Sequence, residues 1–159
     1  MATTTTQLVQ EIVAGSTTFQ AWVRASTAAE ATKRVFRYAV PGADESELDV
    51  NHGIVRPYCL VEGIRKSRSS LTGAFASGDA FIMFEADVTD EQKFDHDAAM
   101  EAWEIKMDAI VSDIMALGRT GGYLMVKDVD DLEIPQRESA PNQQDAHISQ
   151  RMVLTWGPR

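Results

Sequence analysis

The chain is 159 residues long, 44% hydrophobic and 25% charged, with a formal net charge of −9. That length sets the expectation of a single domain, 1–159, with a core of its own, and the composition is that of a globular protein rather than a fibrous or disordered one. The acidic balance excludes tight wrapping of nucleic acid through phosphate neutralisation, and no apolar run approaches the roughly 18 residues that span a bilayer.

Residues 1–7 carry no basic segment and no apolar run follows them, so the expectation is an unprocessed chain made in the cytoplasm. Cys59 is the only cysteine, which rules out an intrachain disulfide. It lies in the apolar run Tyr58–Val61, where a free cysteine is expected to be a small buried core residue. The charge is unevenly placed: residues 79–138 hold 16 of the 24 acids and 5 of the 15 bases. Such asymmetry fits either opposed surfaces that meet between subunits or an acidic helix face in water.

In chain order, residues 5–14 read as a short amphipathic helix ended by Gly15. Phe19, Trp22 and Val23 fall at helical spacing and suggest a second short helix. Thr27 to Glu30 fits a capping box, in which hydroxyl and carboxylate satisfy free backbone N–H groups reciprocally. Lys33 to Val40 either continues that helix or forms a strand; Val35, Phe36 and Tyr38 favour the strand, and Pro41-Gly42 ends it. Ala43 to Arg56 is a polar loop with acids at Asp44, Glu45, Glu47 and Asp49.

Tyr58 to Lys66 reads as a strand, with Tyr58, Leu60 and Ile64 on one face and Cys59 and Val61 on the other. Apolar residues on both faces place it centrally in a sheet. A Ser- and Gly-rich connection over 67–79 leads to a second strand, Ala80 to Val88, and the natural pairing is an antiparallel hairpin. Thr89 to Gln92 repeats the capping pattern and opens a long helix from Asp90 to Leu117, roughly 40 Å by rise per residue. Its apolar stripe is Phe94, Ala98, Ala102, Trp103, Met107, Ile110, Ile114 and Leu117, with Asp113 and most other acids facing elsewhere. Gly118 is its stop, and Gly121-Gly122 is a turn. A third strand begins at Tyr123 and runs towards Leu132 and Ile134, broken at Asp128–Asp131. Residues 135–145 are too polar and proline-marked for regular structure. The last strand, Ala146 to Trp156, alternates with Ile148, Met152, Leu154 and Trp156 inward.

No catalytic motif accompanies this pattern. His52, His96 and His147 lack a second ligand at metal-like spacing. Asp128–Asp131 lacks the glycine and distal glutamate of a calcium loop, and Gly121-Gly122 lies between helix and strand, the wrong order for a phosphate cradle. Ser69, Ser70 and Ser77 have no nucleophile-elbow context. Arg65, Lys66 and Arg68 form a basic cluster at a strand end, a docking point for an acidic neighbour or a phosphate unless it is simply solvated.

In order of elements the chain resembles the tail-terminator, or tail-completion, proteins of long-tailed bacteriophages. Three segments carry the likeness: the Pro-led strand Arg56 to Gly63, the strand Phe81 to Val88 feeding a long helix, and a polar segment closing on a terminal strand, Ser149 to Trp156. The resemblance covers most of residues 5–156 and is architectural rather than a signature. It implies an α+β fold, a small and mostly antiparallel sheet of about four strands with one long helix across it and short N-terminal helices. It further implies a non-enzymatic virion protein without cofactor or metal, located in the tail or neck and assembled in the host cytoplasm. The implied assembly is a homohexameric ring that caps the tail tube protein, joins it to a neck or head-completion protein and lets DNA pass without specific binding. Arg65, Lys66 and Arg68 become candidate partner contacts, and Asp128, Asp130 and Asp131 candidate acids of the lumen. Another neck or head-completion ring is the near alternative. The alternatives of a different class are a small ligand-binding or enzymatic domain with a pocket around Tyr58, His52 and Arg56, and an adaptor that binds through its acidic helix.

Overall fold

A computed structural model describes residues 3–40, 56–67, 77–92, 94–138 and 146–157. The elements are α1 (Thr5–Ala14), α2 (Thr17–Trp22), α3 (Ala28–Thr32), β1 (Val35–Arg37), β2 (Tyr58–Lys66), β3 (Gly78–Asp87), α4 (His96–Leu117), β4 (Val126–Asp131), β5 (Gln136–Glu138) and β6 (His147–Trp156). The class is α+β as expected, but among the described residues the sheet has six strands, in the order β1-β2-β3-β6-β4 with β5 also on β6. β1 and β2 are parallel and every other pair is antiparallel. The polar loop expected over 43–56 lies almost wholly outside the described residues, as does Pro41-Gly42.

The N-terminal helices form where expected. Thr4 and Gln7 make a reciprocal capping box at the start of α1, and Val9, Ile12 and Val13 bury one stripe of it. Thr27 caps α3 by accepting from the Glu30 N–H. The Glu30 carboxylate, however, reaches the backbone and hydroxyl of Ser26 instead of Thr27, so the expected box closes one residue early. Within Lys33 to Val40 the strand β1 forms over Val35–Arg37 alone, and Tyr38 follows it in a left-handed conformation, φ 70°.

A β-bulge between Val61 and Gly63 changes the face reading of β2. One extra residue resets the alternation, so Ile64 joins Cys59 and Val61 against the main core, while Tyr58 and Leu60 face the other way with Met83. β2 is interior, between β1 and β3, as its two apolar faces suggest.

The long helix is shorter than expected. Asp90 to Gln92 is a separate 3-10 turn, and α4 starts at His96, where the Asp95 side chain accepts from the Ala98 N–H. Its 22 residues span about 33 Å. Aspartate at 95 supplies a cap in mid-pattern; Phe94 is therefore outside the helix and 88% exposed. The buried stripe is Ala99, Trp103, Met107, Ile110 and Ile114, and Ala102 faces out. Gly118 ends the helix as expected. A methyl group there would sit 2.7 Å from Val126 Cβ, so the glycine also sets how closely α4 approaches β4.

The third strand differs in register. Tyr123 to Met125 precede it, and Asp128–Asp131, expected as a break, is paired strand. The real interruption is Leu132 to Pro135, after which β5 rejoins the same edge of β6 inside the segment expected to be irregular. Backbone pairing with β6 overrides the poor strand propensity of these polar residues. β6 alternates as expected, with Ile148, Met152, Leu154 and Trp156 buried.

The main core is one face of the sheet, covered by all four described helices. Phe19, Trp22, Phe84 and Trp103 form its aromatic centre, with ring centroids 5.9–6.3 Å apart. The Trp103 indole donates to Gln150 Oε1 at 2.8 Å, and the Gln150 amide donates to the Glu133 carbonyl, so this buried pair is satisfied.

Candidate assembly interface

Three polar arrangements stand out on this frame. The first is a groove of about 600 Å³ between α4 and the β4 edge. Its walls carry Glu101, Glu104 and Asp108 from one face of α4, and Asp130 and Asp131 from β4. Its floor is apolar: Met100, Met107, Val111, Val129 and Met152. The helix spacing puts the acids one or two turns apart on a shared face. None of these five carboxylates makes an ion pair among the described residues. The groove is a soft, adaptable surface rimmed by unneutralised negative charge. It can seat a cationic and apolar protein segment.

The second is a basic hollow at the end of the sheet, lined by Arg65, Lys66, Lys127, Asp79, Thr155 and Trp156. Gly78 permits it: a Cβ there would collide with the Arg65 carbonyl and lie 2.7 Å from the Trp156 ring. The Arg65 guanidinium pairs with Asp79 at 2.6 Å and lies 5.7 Å from the Phe81 ring centroid. It holds the Asp79 carboxyl below the usual carboxylate range; partial burial opposes this and a Thr155 hydrogen bond helps. Lys127 is the extra residue of a bulge between Val126 and Asp128, which swings it into the hollow.

The third lies on the sheet face opposite the helices. Glu85 is 8% exposed and accepts from the Tyr58 hydroxyl and from Arg56 Nε at 3.0 Å. His147 Nε2 is 3.5 Å from its other oxygen, and Arg56 reaches Asp87 at 3.4 Å. Burial first, and then the Glu85 carboxylate, push the Tyr58 phenol well above its ordinary value. A phenol so held is a hydrogen-bond donor rather than a base or nucleophile. Burial likewise drives the Cys59 thiol far up, and with 0% exposure it is chemically inert.

The residues singled out from the sequence are therefore partly brought together. Arg65 and Lys66 share the hollow, with Lys127 as a partner only the bulge reveals; Arg68 lies outside the described residues. Asp130 and Asp131 line the groove, whereas Asp128 is exposed and is not among the groove-lining residues. Arg56 and Tyr58 do meet, around Glu85, while His52 lies outside the described residues. Among those residues no group of three or more His, Cys, Asp or Glu is placed to hold a metal ion, and no helix is long and apolar enough to cross a membrane.

No family model and no curated protein matches the chain. Among solved structures it is similar to a chain of the virion of a native gene transfer agent particle, at 18% identity over 92% of this chain and 98% of that one. The TM-score is 0.36, a superposition too loose to argue from.

Proposed function

We propose that this chain is a virion structural protein: a homohexameric ring that caps the phage tail tube and joins it to the neck, with DNA passing through the lumen. Its role is assembly rather than catalysis, and it resides in the tail or neck of the particle. The observation that carries this reading is the pair of unlike outer surfaces on one small sheet, the acidic groove beside β4 and the basic hollow at the strand ends. A ring that also contacts a tube and a neck needs several different surfaces on each copy, because head-to-tail closure joins unlike patches. The order of elements, helices then hairpin then long helix then terminal strand, is the one the tail-terminator resemblance implies.

Within this reading Arg65, Lys66 and Lys127 contact the tube or neck protein and Asp128 belongs to the acidic lumen, while Asp130 and Asp131, expected beside it in the lumen, line the groove and serve contacts between copies. Like charge on the lumen keeps DNA from sticking as it passes. The test is negative-stain imaging of the purified protein with and without tail-tube protein. Rings alone, or rings at tube ends, support the reading; monomers that ignore tube ends overturn it. Reversing the charge of Asp128 is expected to slow DNA ejection while leaving assembly intact, and normal ejection kinetics would remove Asp128 from the lumen.

A further inference from the structure

The groove and one unabsorbed basic segment are complementary. Lys33, Arg37 and Tyr38 sit on and beside β1, the edge strand at the far end of the sheet from β4. Lys33 and Arg37 are exposed and make no ion pair among the described residues. Tyr38 is 64% exposed, and its hydroxyl is fixed 2.9 Å from Thr6 Oγ1. Its φ of 70° is a conformation glycine adopts freely and a tyrosine does not. Lys33 and Arg37 line one shallow hollow with Tyr38, Lys33 having Glu30 as an electrostatic neighbour, and a rigid, exposed and strained aromatic beside two exposed cations has the make-up of an interface anchor.

We propose that the β1 edge of one copy docks into the α4–β4 groove of the next. Tyr38 then lies against the methionine floor, where sulfur–aromatic contact is favourable. Lys33 and Arg37 meet the walls formed by Glu104, Asp108 and Asp130. The two surfaces lie at opposite edges of the same sheet, so each copy offers one to either side, which is the geometry of a head-to-tail ring. This deepens the ring reading and rests on it: it names the surfaces that meet.

The test uses two charge-reversed chains and one neutral variant. Glu104→Lys with Asp108→Lys and Asp130→Lys leaves two of the five groove acids against three new bases and makes the groove basic; Lys33→Glu with Arg37→Glu makes the β1 edge acidic. Each chain alone then sets like charge against like, and its association constant is expected to fall at least about tenfold. Mixed in equal amounts, each basic surface faces an acidic one again, and rings that alternate the two chains should return. Tyr38→Gly keeps every charge and relaxes the backbone, which offsets the lost hydrogen bond to Thr6, so it is expected to fold and to associate more weakly than the native chain. The readout is mass by sedimentation, with circular dichroism to verify folding. A native chain that forms rings while either reversed chain alone does so equally well overturns the pairing and leaves the ring reading standing. Reversed chains that stay monomeric when mixed also overturn the pairing, as does a Tyr38→Gly chain of undiminished affinity. A native chain that stays monomeric both in solution and with tail-tube protein present sinks the ring reading and the pairing together.

Discussion

The two faces of the sheet solve the same problem in opposite ways. On the helix side, Cys59, Val61, Ile82, Phe84, Met152 and Leu154 are buried under helices. There stability comes from apolar area and packing. On the other side, Arg56, Tyr58, Glu85 and His147 form a buried charged network beside only a small apolar cluster of Tyr58, Leu60 and Met83. Apolar packing tolerates volume-conserving change, whereas a charged network tolerates loss of one member poorly. The first face supplies most of the buried apolar area; the second joins the starts of β2 and β6 to the end of β3 through charge.

The largest effect is expected on the helix side. Phe84→Ala should cost about 3–5 kcal/mol, read as a lower urea midpoint with an unchanged slope. Next comes the opposite face: Glu85→Ala leaves Arg56, 10% exposed, with much of its counter-charge gone, and should cost about 3 kcal/mol. The comparison sharpens if Arg56→Met, Tyr58→Phe and Glu85→Leu are made together. Replacing these three with apolar residues leaves only half-buried His147 of the network and should bring stability back towards the native value. A triple variant as unstable as Glu85→Ala would break the distinction between the faces.

Smaller effects test how the helix side is tied together. Trp103→Phe keeps the ring but orphans Gln150 Oε1, and should cost about 1–2 kcal/mol by chemical denaturation. Asp113 joins α4 to the start of α2, accepting from the Ser16 hydroxyl at 2.7 Å and the Thr18 N–H at 3.1 Å. Burial works against ionisation there, but these hydrogen bonds prevail and its carboxyl titrates below the ordinary value of 3.8. Because the folded pKa is depressed, the unfolded chain takes up the proton first as pH falls. The stability Asp113 contributes is complete above the ordinary aspartate range and drains away below it. The gap between native and Asp113→Asn melting temperatures should therefore be open at neutral pH and close on acidification; a gap independent of pH would refute the assignment.

Elements with strong periodicity were legible in the sequence, and so was the burial of Cys59. β6 alternates because one of its faces is dry, and α1 shows a stripe for the same reason. What escaped was decided by single residues or by backbone pairing. The bulge after Val61 moved Ile64 across the sheet, and the bulge after Val126 placed Lys127 beside Lys66; neither leaves a periodic trace. Asp95 capped α4 six residues after the Thr89 cap signal, and its bond to the Ala98 N–H and the exposure of Phe94 show which cap prevailed. Asp113 was read as a solvent-facing acid because nothing local announces that Ser16 and Thr18 lie above it. At the candidate site, the cluster Arg65 and Lys66 was visible as charge, but the groove was not: its walls come from α4 and β4, and its floor needs Met152 from β6. The Lys33–Arg37 segment carries no signal of its own in the sequence, because its meaning depends on lying at the sheet edge opposite the groove.

The central claim is that copies of this chain close on one another through unlike, charged surfaces. The most direct measurement is the mass of the native protein by sedimentation across a salt series. The account expects ring-sized particles at low ionic strength that fall towards monomer as salt screens the contacts. A monomer at every salt concentration, with tail-tube protein absent and present, would contradict it.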